Sequence, residues 1–223
     1  MMDLSKSYEF FQPENVDRIH IIGCGSVGST VAELLARYGL TKFSLYDFDE
    51  VEPHNIVNQM FVQSDIGKSK IECVANMITA INPDAEKDIK MFNKGWNGQN
   101  LDGYVFLCVD NIDLRREIAQ KNKYNAFIKG MFDFRTRLVD AQHYGADWSK
   151  PKDKEAFLNS MAFSHDEAKE ATPVSACNVE LSVATTVRTI CAFGVNNFIN
   201  FVKDKEIKKM ILVDGFNFEV FAI

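Results

Sequence analysis

The feature that most constrains the fold is a glycine-rich turn between a short strand and a helix. Residues 18–22 are predicted to form an apolar strand that runs into Gly23-Cys24-Gly25-Ser26-Val27-Gly28, and a helical spacing of apolar residues then continues to Gly39. In such a turn the first glycine permits a tight bend, the second lets a phosphate approach the backbone, and the third lets the helix pack close to the strand. Backbone N–H groups at the helix start then face an anion. The turn therefore predicts a nucleotide-phosphate site at Gly23, Gly25 and Gly28, although a glycine turn without a ligand is the simpler alternative.

A second β-rich run over residues 42–46 ends in two acidic residues and completes a β-α-β unit. Asp47 lies nineteen residues after Gly28, where an acid normally accepts hydrogen bonds from ribose hydroxyls. An aspartate that only caps the next turn is the alternative. Asp49 places a second carboxylate near the phosphates, where Mg²⁺ would be the natural partner.

Strands and helices alternate along the rest of the chain. After a polar segment over 50–64, the predicted elements are a helix over 68–81, strands over 87–91 and 104–109, a helix over 114–124, strands over 126–131 and 136–144, a helix over 179–202, and one or two strands within 210–221. This order predicts an α/β fold with a Rossmann-like, doubly wound, mostly parallel sheet and antiparallel C-terminal strands. The apolar run ending at Asp110-Asn111 is typical of a central parallel strand, and such folds place chemistry where these strands end.

We expect one domain over residues 1–223. Its parts are a nucleotide-binding core over 18–145, a charged and mobile insertion over 146–176, and a long helix with closing strands over 177–223. The stretch from Asp147 to Thr172 is expected to be exposed, to hold one helix near residues 154–161, and to select the partner.

Charge and hydropathy exclude several classes of protein. The net charge of −6 and the pI near 5.3 argue against nucleic-acid binding through a broad basic surface, although a local basic partner surface stays open. There is no apolar run of the roughly 18 residues that span a bilayer, and the N-terminus lacks the apolar region of a signal peptide. We expect a cytoplasmic protein without a membrane partner.

The cysteines and histidines do not form a metal-binding pattern. The five cysteines are an odd number, which indicates reduced and mostly buried thiols: Cys24, Cys73, Cys108, Cys177 and Cys191. No Cys-x-x-Cys pair occurs and the four histidines are scattered, so no structural zinc is expected.

The segment after the second strand resembles a known family. The strings DFDEVEPHNIVNQ (47–59) and DIGKSK (65–70) resemble the signature of the ThiF/MoeB/HesA-type adenylyltransferases and of ubiquitin-activating enzymes. With the glycine turn, Asp110-Asn111 and Arg115, the resemblance runs over residues 18–116. The order and spacing of five separate elements make it specific.

This resemblance implies an activity and a set of ligands. Members bind ATP at the glycine turn, and the C-terminal carboxylate of a small ubiquitin-like or sulfur-carrier protein attacks its α-phosphate, which gives an acyl-adenylate and pyrophosphate. By resemblance, Asp47 would hold the ribose, and Asn55 and Gln59 the phosphate region. The implied cofactor-binding positions are Gly23, Gly25, Gly28, Asp47, Asp49, Asn58, Lys68, Asn111 and Arg115.

The resemblance also assigns the charged groups. Lys70 would neutralise the phosphates as a point charge, and Asp110 would bind Mg²⁺. Lys68 is an alternative to Lys70, although the family spacing after Gly67 favours Lys70. Two lysines near a helix start also indicate a bound anion, because that position is unfavourable for a cation. This chemistry depends on positioning and charge neutralisation rather than on a protein nucleophile.

The sequence departs from the family at two cationic positions. Asn58 stands where members carry an arginine, and a neutral side chain cannot replace a bidentate phosphate ligand. Members also receive an arginine from the N-terminal segment of a partner subunit, but residues 1–17 contain none. Either Arg37, Arg115 or Arg116 takes over, or the protein binds nucleotide without rapid turnover.

Three further expectations complete the hypothesis. Cys177 stands where some relatives keep a thioester-forming cysteine, although a buried structural thiol fits equally well. By resemblance, the protein is expected to be a homodimer. The alternatives to an ATP- and Mg²⁺-dependent adenylyltransferase are a non-catalytic nucleotide-binding module that recognises a ubiquitin-like partner, and an NAD-dependent oxidoreductase, which the glycine turn and Asp47 alone would support equally.

Overall fold

The described residues of the computed structural model, 2–170, 174 and 181–223, fold around one eight-stranded sheet. Its strands are β1 (Ile19–Ile22), β2 (Phe43–Tyr46), β3 (Lys90–Phe92), β4 (Gly103–Leu107), β5 (Ile128–Thr136), β6 (Asp140–Asp147), β7 (Met210–Asp214) and β8 (Glu219–Ala222). The helices are α1 (Ser26–Arg37), α2 (Lys70–Ile81), α3 (Ile112–Lys121), α4 (Pro151–Asn159), α5 (His165–Glu170) and α6 (Ala184–Asp204). Short 3₁₀ turns cover Pro13–Asn15, Pro53–Val57, Gln63–Asp65 and Pro83–Asp88.

The strand order β3-β2-β1-β4-β5-β6-β7-β8 confirms the predicted fold class. The first five strands in that order are parallel, with Ile22 opposite both Tyr46 and Leu107. The last three are joined by antiparallel pairs. Every residue of β1, β2 and β4 is buried, as expected for strands covered by helices on both faces. The result is a Rossmann-like sheet extended by an antiparallel C-terminal part.

Two apolar clusters hold the helices on opposite faces of the sheet. One joins α1, α2 and α6 to side chains such as Ile21 and Phe106, and the other joins α3 and α4 to Ile22 and Leu107. Helix α1 buries its face through residues at helical spacing, and the chain leaves it at Gly39 with a φ of +86°, where a glycine is favoured. No described helix meets the length and apolarity needed to cross a bilayer.

The expectation of an exposed insertion over residues 147–172 is wrong for its first half. Trp148, Phe157 and Met161 are 1%, 3% and 0% exposed and belong to the second apolar cluster. Trp148 also donates a hydrogen bond from Nε1 to the carbonyl oxygen of Asn122 at 2.8 Å. The charged residues of α4 conceal this buried side in the sequence: Lys152 and Glu155 are exposed, and Asp153, which is 5% exposed, pairs with Lys209.

The predicted boundary between the fifth and sixth strands is also wrong. We expected strands over 126–131 and 136–144, whereas β5 continues to Thr136 and β6 begins at Asp140. The cause is the pair Asp133 and Arg135, two charged residues inside β5 that interrupt its apolar pattern but neutralise each other within the structure. The long C-terminal helix begins at Ala184 and ends at Asp204, a few residues later than predicted at both ends.

Candidate functional site

The glycine turn lies where the strand order reverses. β1 and β4 are neighbours, yet β1 continues toward β2 and β4 toward β5, so the connections leave in opposite directions. In such sheets ligands bind beyond the carboxyl ends of the strands at this switch point. The turn packs tightly against the end of β4, because a Cβ on Gly23 would lie 2.8 Å from backbone atoms of Cys108 and Val109.

The start of α1 is arranged to receive an anion. Gly25 is the N-cap, no side chain of the described residues caps the helix, and its first turn contains no acidic residue. The backbone N–H groups of the first turn therefore keep their capacity to bind an anion, and the helix dipole favours one. Gly28 is required by packing, since a Cβ there would lie 1.8 Å from the carbonyl oxygen of Gly23.

Asp47 connects the end of β2 to the glycine turn. Its Oδ2 accepts a hydrogen bond from the backbone N–H of Cys24 at 2.5 Å, and its Oδ1 accepts one from the backbone N–H of Asp49 at 2.8 Å. An ionised carboxylate has about four acceptor positions, so ribose hydroxyls can still bind. The carboxylate is held beside the turn before any ligand arrives.

Lys70 is held by Asp49. Its Nζ lies 2.9 Å from Asp49 Oδ2, and its backbone N–H donates to the carbonyl oxygen of Asp49 at 2.9 Å. The lysine is 8% exposed, whereas half of the Asp49 side chain is exposed. Asp49 therefore acts on Lys70 in this structure, which replaces the expectation that it joins Asp47 at a magnesium ion.

Lys68 has a different environment. It is exposed and pairs with Asp65 at 3.3 Å, three residues away. An exposed pair of this kind is worth about 0–1 kcal/mol and does not fix the ammonium group. The geometry distinguishes Lys70, buried and fixed at the start of α2, from Lys68.

The polar segment between β2 and α2 contains Asn55 and brings Gln59 toward the turn. Asn55 is buried, and its Oδ1 accepts a hydrogen bond from the backbone N–H of Glu52, so this oxygen orients the segment. Gln59 Oε1 lies 4.0 Å from the position of a Cβ on Gly25. That oxygen is buried and has no hydrogen-bond partner within the described part of the chain. A buried acceptor of this kind is costly unless a ligand or water donates to it.

Asn58 and Asp110 are more open. Asn58 is half-buried, and Asp110 is exposed directly after Val109, next to Gly23. The following Asn111 caps α3, because its Oδ1 accepts hydrogen bonds from the backbone N–H groups of Asp113 and Leu114 at 2.9 and 3.0 Å. Asn111 therefore fixes the start of the helix that follows Asp110, and its contact with a nucleotide stays a prediction.

The side chains near the glycine turn suit Mg²⁺ only if phosphate oxygens of a bound nucleotide supply some of its ligands. The described residues contain no group of three or more His, Cys, Asp or Glu side chains that could hold a metal. Mg²⁺ in nucleotide sites is bound by one or two carboxylates together with phosphate oxygens and waters. The exposed carboxylate of Asp110 meets that requirement.

The three arginines proposed to replace the missing cation are engaged elsewhere. Arg115 is 6% exposed and bonds to Asp133 and to the carbonyl oxygens of Val109 and Phe134, so its guanidinium is engaged within the protein here, and its assignment to the cofactor stays a prediction. Arg116 bonds to Asp113 and to two carbonyl oxygens near the end of α4. Arg37 pairs with Glu33 within α1.

Asp133 is the centre of a buried charge cluster that sequence reasoning missed. Its two oxygens lie 2.6 Å from Arg115 Nη1 and 2.6 Å from Arg135 Nε. Burial alone would raise the pKa of this carboxyl group, but the two guanidinium groups outweigh burial and lower the pKa below its usual value. Arg115 of this cluster also bonds to the carbonyl oxygen of Val109, the residue before Asp110. The cluster therefore helps to hold the backbone at Asp110 in place.

The described cysteines are not suited to covalent chemistry. Cys24, Cys73, Cys108 and Cys191 are all buried, and burial raises the pKa of each thiol. A raised pKa keeps the thiol protonated and weakly nucleophilic. Cys177, the candidate for a thioester, lies outside the described residues, and its role stays a hypothesis.

The fold and the site define a Rossmann-like protein with a nucleotide-type turn at its switch point. The chain belongs to the ThiF family, whose match covers residues 14–222. It is similar to ubiquitin-like modifier-activating enzyme 5 of Drosophila persimilis, with 34% identity over 133 residues, covering 52% of this chain and 34% of that protein. The same enzyme of Caenorhabditis elegans is 32% identical over 133 residues, covering 52% of this chain and 31% of that protein. The chain thus spans about a third of the length of these relatives.

Solved structures share the fold over nearly the whole chain. E. coli MccB superposes with a TM-score of 0.70 at 15% identity, covering 95% of this chain and 62% of MccB. PaaA superposes with a TM-score of 0.69 at 16% identity, covering 95% of this chain and 64% of PaaA. At these identities the likeness establishes the fold.

Proposed function

We propose that this protein is an ATP- and Mg²⁺-dependent adenylyltransferase that activates the C-terminal carboxylate of a small ubiquitin-like or sulfur-carrier protein or peptide. The observation that carries the proposal is the juxtaposition, at one switch point, of an uncapped helix start, the fixed carboxylate of Asp47 and the buried ammonium of Lys70. These are the groups that a ribose and a polyphosphate require. Membership of the ThiF family favours ATP over NAD as the nucleotide.

The reaction needs orientation and charge neutralisation from the protein. A carboxylate oxygen of the partner attacks the α-phosphorus, the bond from that phosphorus to the bridging oxygen of the β-phosphate breaks, and pyrophosphate leaves with the electron pair. Backbone N–H groups of α1 bind phosphate oxygens, Asp47 holds the ribose, and Lys70 neutralises charge that develops on the leaving group. Asp110 would hold Mg²⁺, which supplies further neutralisation of the phosphates when bound.

The relatives support the partner class. The curated relatives are named as enzymes that activate ubiquitin-like modifiers, and MccB has been crystallised with ATP and with MccA. A C-terminal carboxylate on a small protein or peptide is therefore the acceptor that we propose here. We place the protein in the cytoplasm and propose a homodimer, whose test is sedimentation equilibrium across a range of protein concentrations.

The test is ATP–pyrophosphate exchange with labelled pyrophosphate and candidate carriers. We expect carrier-dependent exchange in the wild type and a loss of about 10²-fold or more in Lys70→Ala and Asp110→Ala. Lys68→Ala is the matched control, because it removes a lysine two residues away whose ammonium is exposed. Equal losses in both lysine variants, or exchange that persists in Asp110→Ala, would contradict the assigned roles.

A second candidate is a nucleotide-binding module that does not turn ATP over. Asn58 in place of an arginine and the pairing of Lys70 with Asp49 favour it. ATP binding without exchange, with the true carrier present, would establish this module. Thermal stabilisation by NADH and not by ATP with Mg²⁺ would instead establish the oxidoreductase alternative, since selective ligand binding to the native state raises apparent stability.

A further inference from the structure

The protein side chains around the glycine turn carry too little positive charge to balance the negative charge of a polyphosphate on their own. Lys70 is paired with Asp49 and Lys68 with Asp65, so these four side chains sum to zero. Asp47 and Asp110 then remain as carboxylates without a cationic partner among the described residues. A bound triphosphate adds several more negative charges at the same place. A further cation of the protein beside the glycine turn would offset this charge together with Mg²⁺.

Most arginine side chains of this protein are already bonded to other groups, so in this structure they are not free to bind a phosphate. The chain has seven: Arg18, Arg37, Arg115, Arg116, Arg135, Arg137 and Arg188. The first five in this order have side chains that bond to carboxylates or carbonyl oxygens. Within the described residues, Arg137 and Arg188 are exposed and their side chains have no hydrogen bond or ion pair.

Helix α6 runs away from the carboxyl edge of the sheet, where the site lies. Near its start, Thr186 Oγ1 donates to the carbonyl oxygen of Leu138 at 2.9 Å, in the loop beyond the end of β5. Near its end, the Phe201 ring lies 2.9 Å from the position of a Cβ on Gly130, close to the beginning of β5. The first turns of α6 therefore lie at the edge that carries the glycine turn.

A contact between α6 and α1 shows that the first turns of α6 lie beside and beyond the first turn of α1. Cys191 Sγ lies 3.8 Å from the carbonyl oxygen of Val27, in the first turn of α1. Arg188 comes three residues earlier in α6 and is exposed beside this contact, about 4.5 Å further toward the helix start. Helical side chains also incline toward the N-terminus. From this height a long arginine side chain is able to reach toward the first turn of α1, whose N–H groups face the anion.

We propose that Arg188 is the phosphate-binding cation of this chain and compensates for the neutral side chain of Asn58. The proposal rests on the nucleotide-binding part of the proposed function. A guanidinium presents several N–H donors in a fixed plane and can bind two phosphate oxygens at once. The side chain is exposed and has no hydrogen-bond or ion-pair partner in the described part of the chain.

The experiment is titration calorimetry with ATP, AMP and adenosine, in the presence of Mg²⁺. Wild type is compared with Arg188→Gln and Arg188→Lys, and Arg137→Gln is the matched control, since it also removes an exposed arginine without a partner. Arg188→Gln should weaken ATP binding about tenfold or more and leave adenosine binding unchanged, because only the phosphate contact is lost. Arg188→Lys should restore part of the affinity, and Arg137→Gln should match wild type.

The outcomes separate this inference from the proposed activity. Wild-type affinity for ATP in Arg188→Gln, or an equal loss in Arg137→Gln, would overturn the assignment of Arg188. An equal loss of adenosine and ATP binding would also overturn it, since that result indicates a damaged fold. ATP binding that depends on Arg188 without any pyrophosphate exchange would support the inference and contradict adenylation. A wild type that does not bind ATP would overturn both.

Discussion

Gly25 and Gly28, at the start of α1, differ in what a side chain would meet. A Cβ on Gly25 has its nearest neighbour at 4.0 Å, and the φ of this residue is negative, at −76°. Gly25→Ala should therefore melt close to wild type while ATP affinity falls, because the new methyl group occupies the path by which a phosphate approaches the backbone. Thermal unfolding and calorimetry of the same sample check both parts.

Gly28→Ala should show the opposite pattern of effects. Its Cβ would lie 1.8 Å from the carbonyl oxygen of Gly23, so α1 must move away from β1. Overpacking of this kind destabilises by about 1–3 kcal/mol. A Gly28→Ala protein as stable as Gly25→Ala in urea unfolding would disprove the packing role.

The buried carboxylate of Asp133 gives a third prediction for single residues. Asp133→Asn leaves Arg115 and Arg135 without their common counter-charge in a fully buried place. Breaking a buried ion pair from one side costs about 3–5 kcal/mol. The control is Glu117→Gln, which removes an exposed pair with Lys121 and should change stability by less than about 1 kcal/mol. Similar urea midpoints for the two variants would contradict the prediction.

Among the elements, α4 shows how charge conceals burial. Phe157→Ala should destabilise the protein by about 3–5 kcal/mol, because the ring is 3% exposed and packs edge-on against Trp148 at 5.8 Å between centroids. Glu155→Ala, an exposed change in the same helix, should be nearly neutral. Chemical denaturation of both variants, followed by Trp fluorescence, makes the comparison. A small effect of Phe157→Ala would restore the exposed insertion that the sequence predicts.

Elements with a clear period were predictable from the sequence, and elements interrupted by charge were not. The strand, glycine turn and helix around Gly25 carry their pattern within twenty residues, so local reasoning located them. β5 was divided wrongly because Asp133 and Arg135 look like surface residues until Arg115 is brought beside them. Such partners are distant in sequence, and only the folded sheet shows them.

The same limit applies to the candidate site. Asp47 was identified from its spacing after the glycine turn and Lys70 from the resemblance to the family, but neither shows that Asp49 holds Lys70 or that Asn111 caps α3. Arg188 gave no signal because it follows the signature by more than a hundred residues and stands alone in an apolar helix. Its candidacy depends on the contact between α6 and α1.

At the scale of the whole molecule, the sheet is asymmetric. The strands β1, β2 and β4 of its parallel half are buried and carry the switch point, whereas the antiparallel half ends in β8, all four of whose residues are exposed. An edge strand with exposed apolar side chains is a ready surface for association. Phe221 and Val220 are 54% and 52% exposed there, which makes β8 the first place to substitute when the proposed homodimer is tested.

Two buried histidines make the stability of the molecule depend on pH. Burial lowers the pKa of His143 to about 4, and it lowers the pKa of His20 despite the contact of that ring with Asp102 at 2.6 Å. An unfolded histidine has a pKa of about 6.5, so between these values the unfolded state binds more protons than the folded state. The free energy of unfolding should therefore be fully present above about pH 6.5 and fall as the pH decreases toward 4.

The size and origin of this change can be measured. A shift from 6.5 to about 4 at His143 corresponds to about 3 kcal/mol lost across that interval. Urea unfolding of wild type at a series of pH values from 7.5 to 4 should show the decline, and His143→Gln should show a flatter one. His54→Gln is the control, because that side chain is 63% exposed and should leave the slope unchanged. Parallel slopes in wild type and His143→Gln would mean that other groups bind the protons, such as carboxylates whose pKa is lowered in the folded state, as at Asp133 and Asp147.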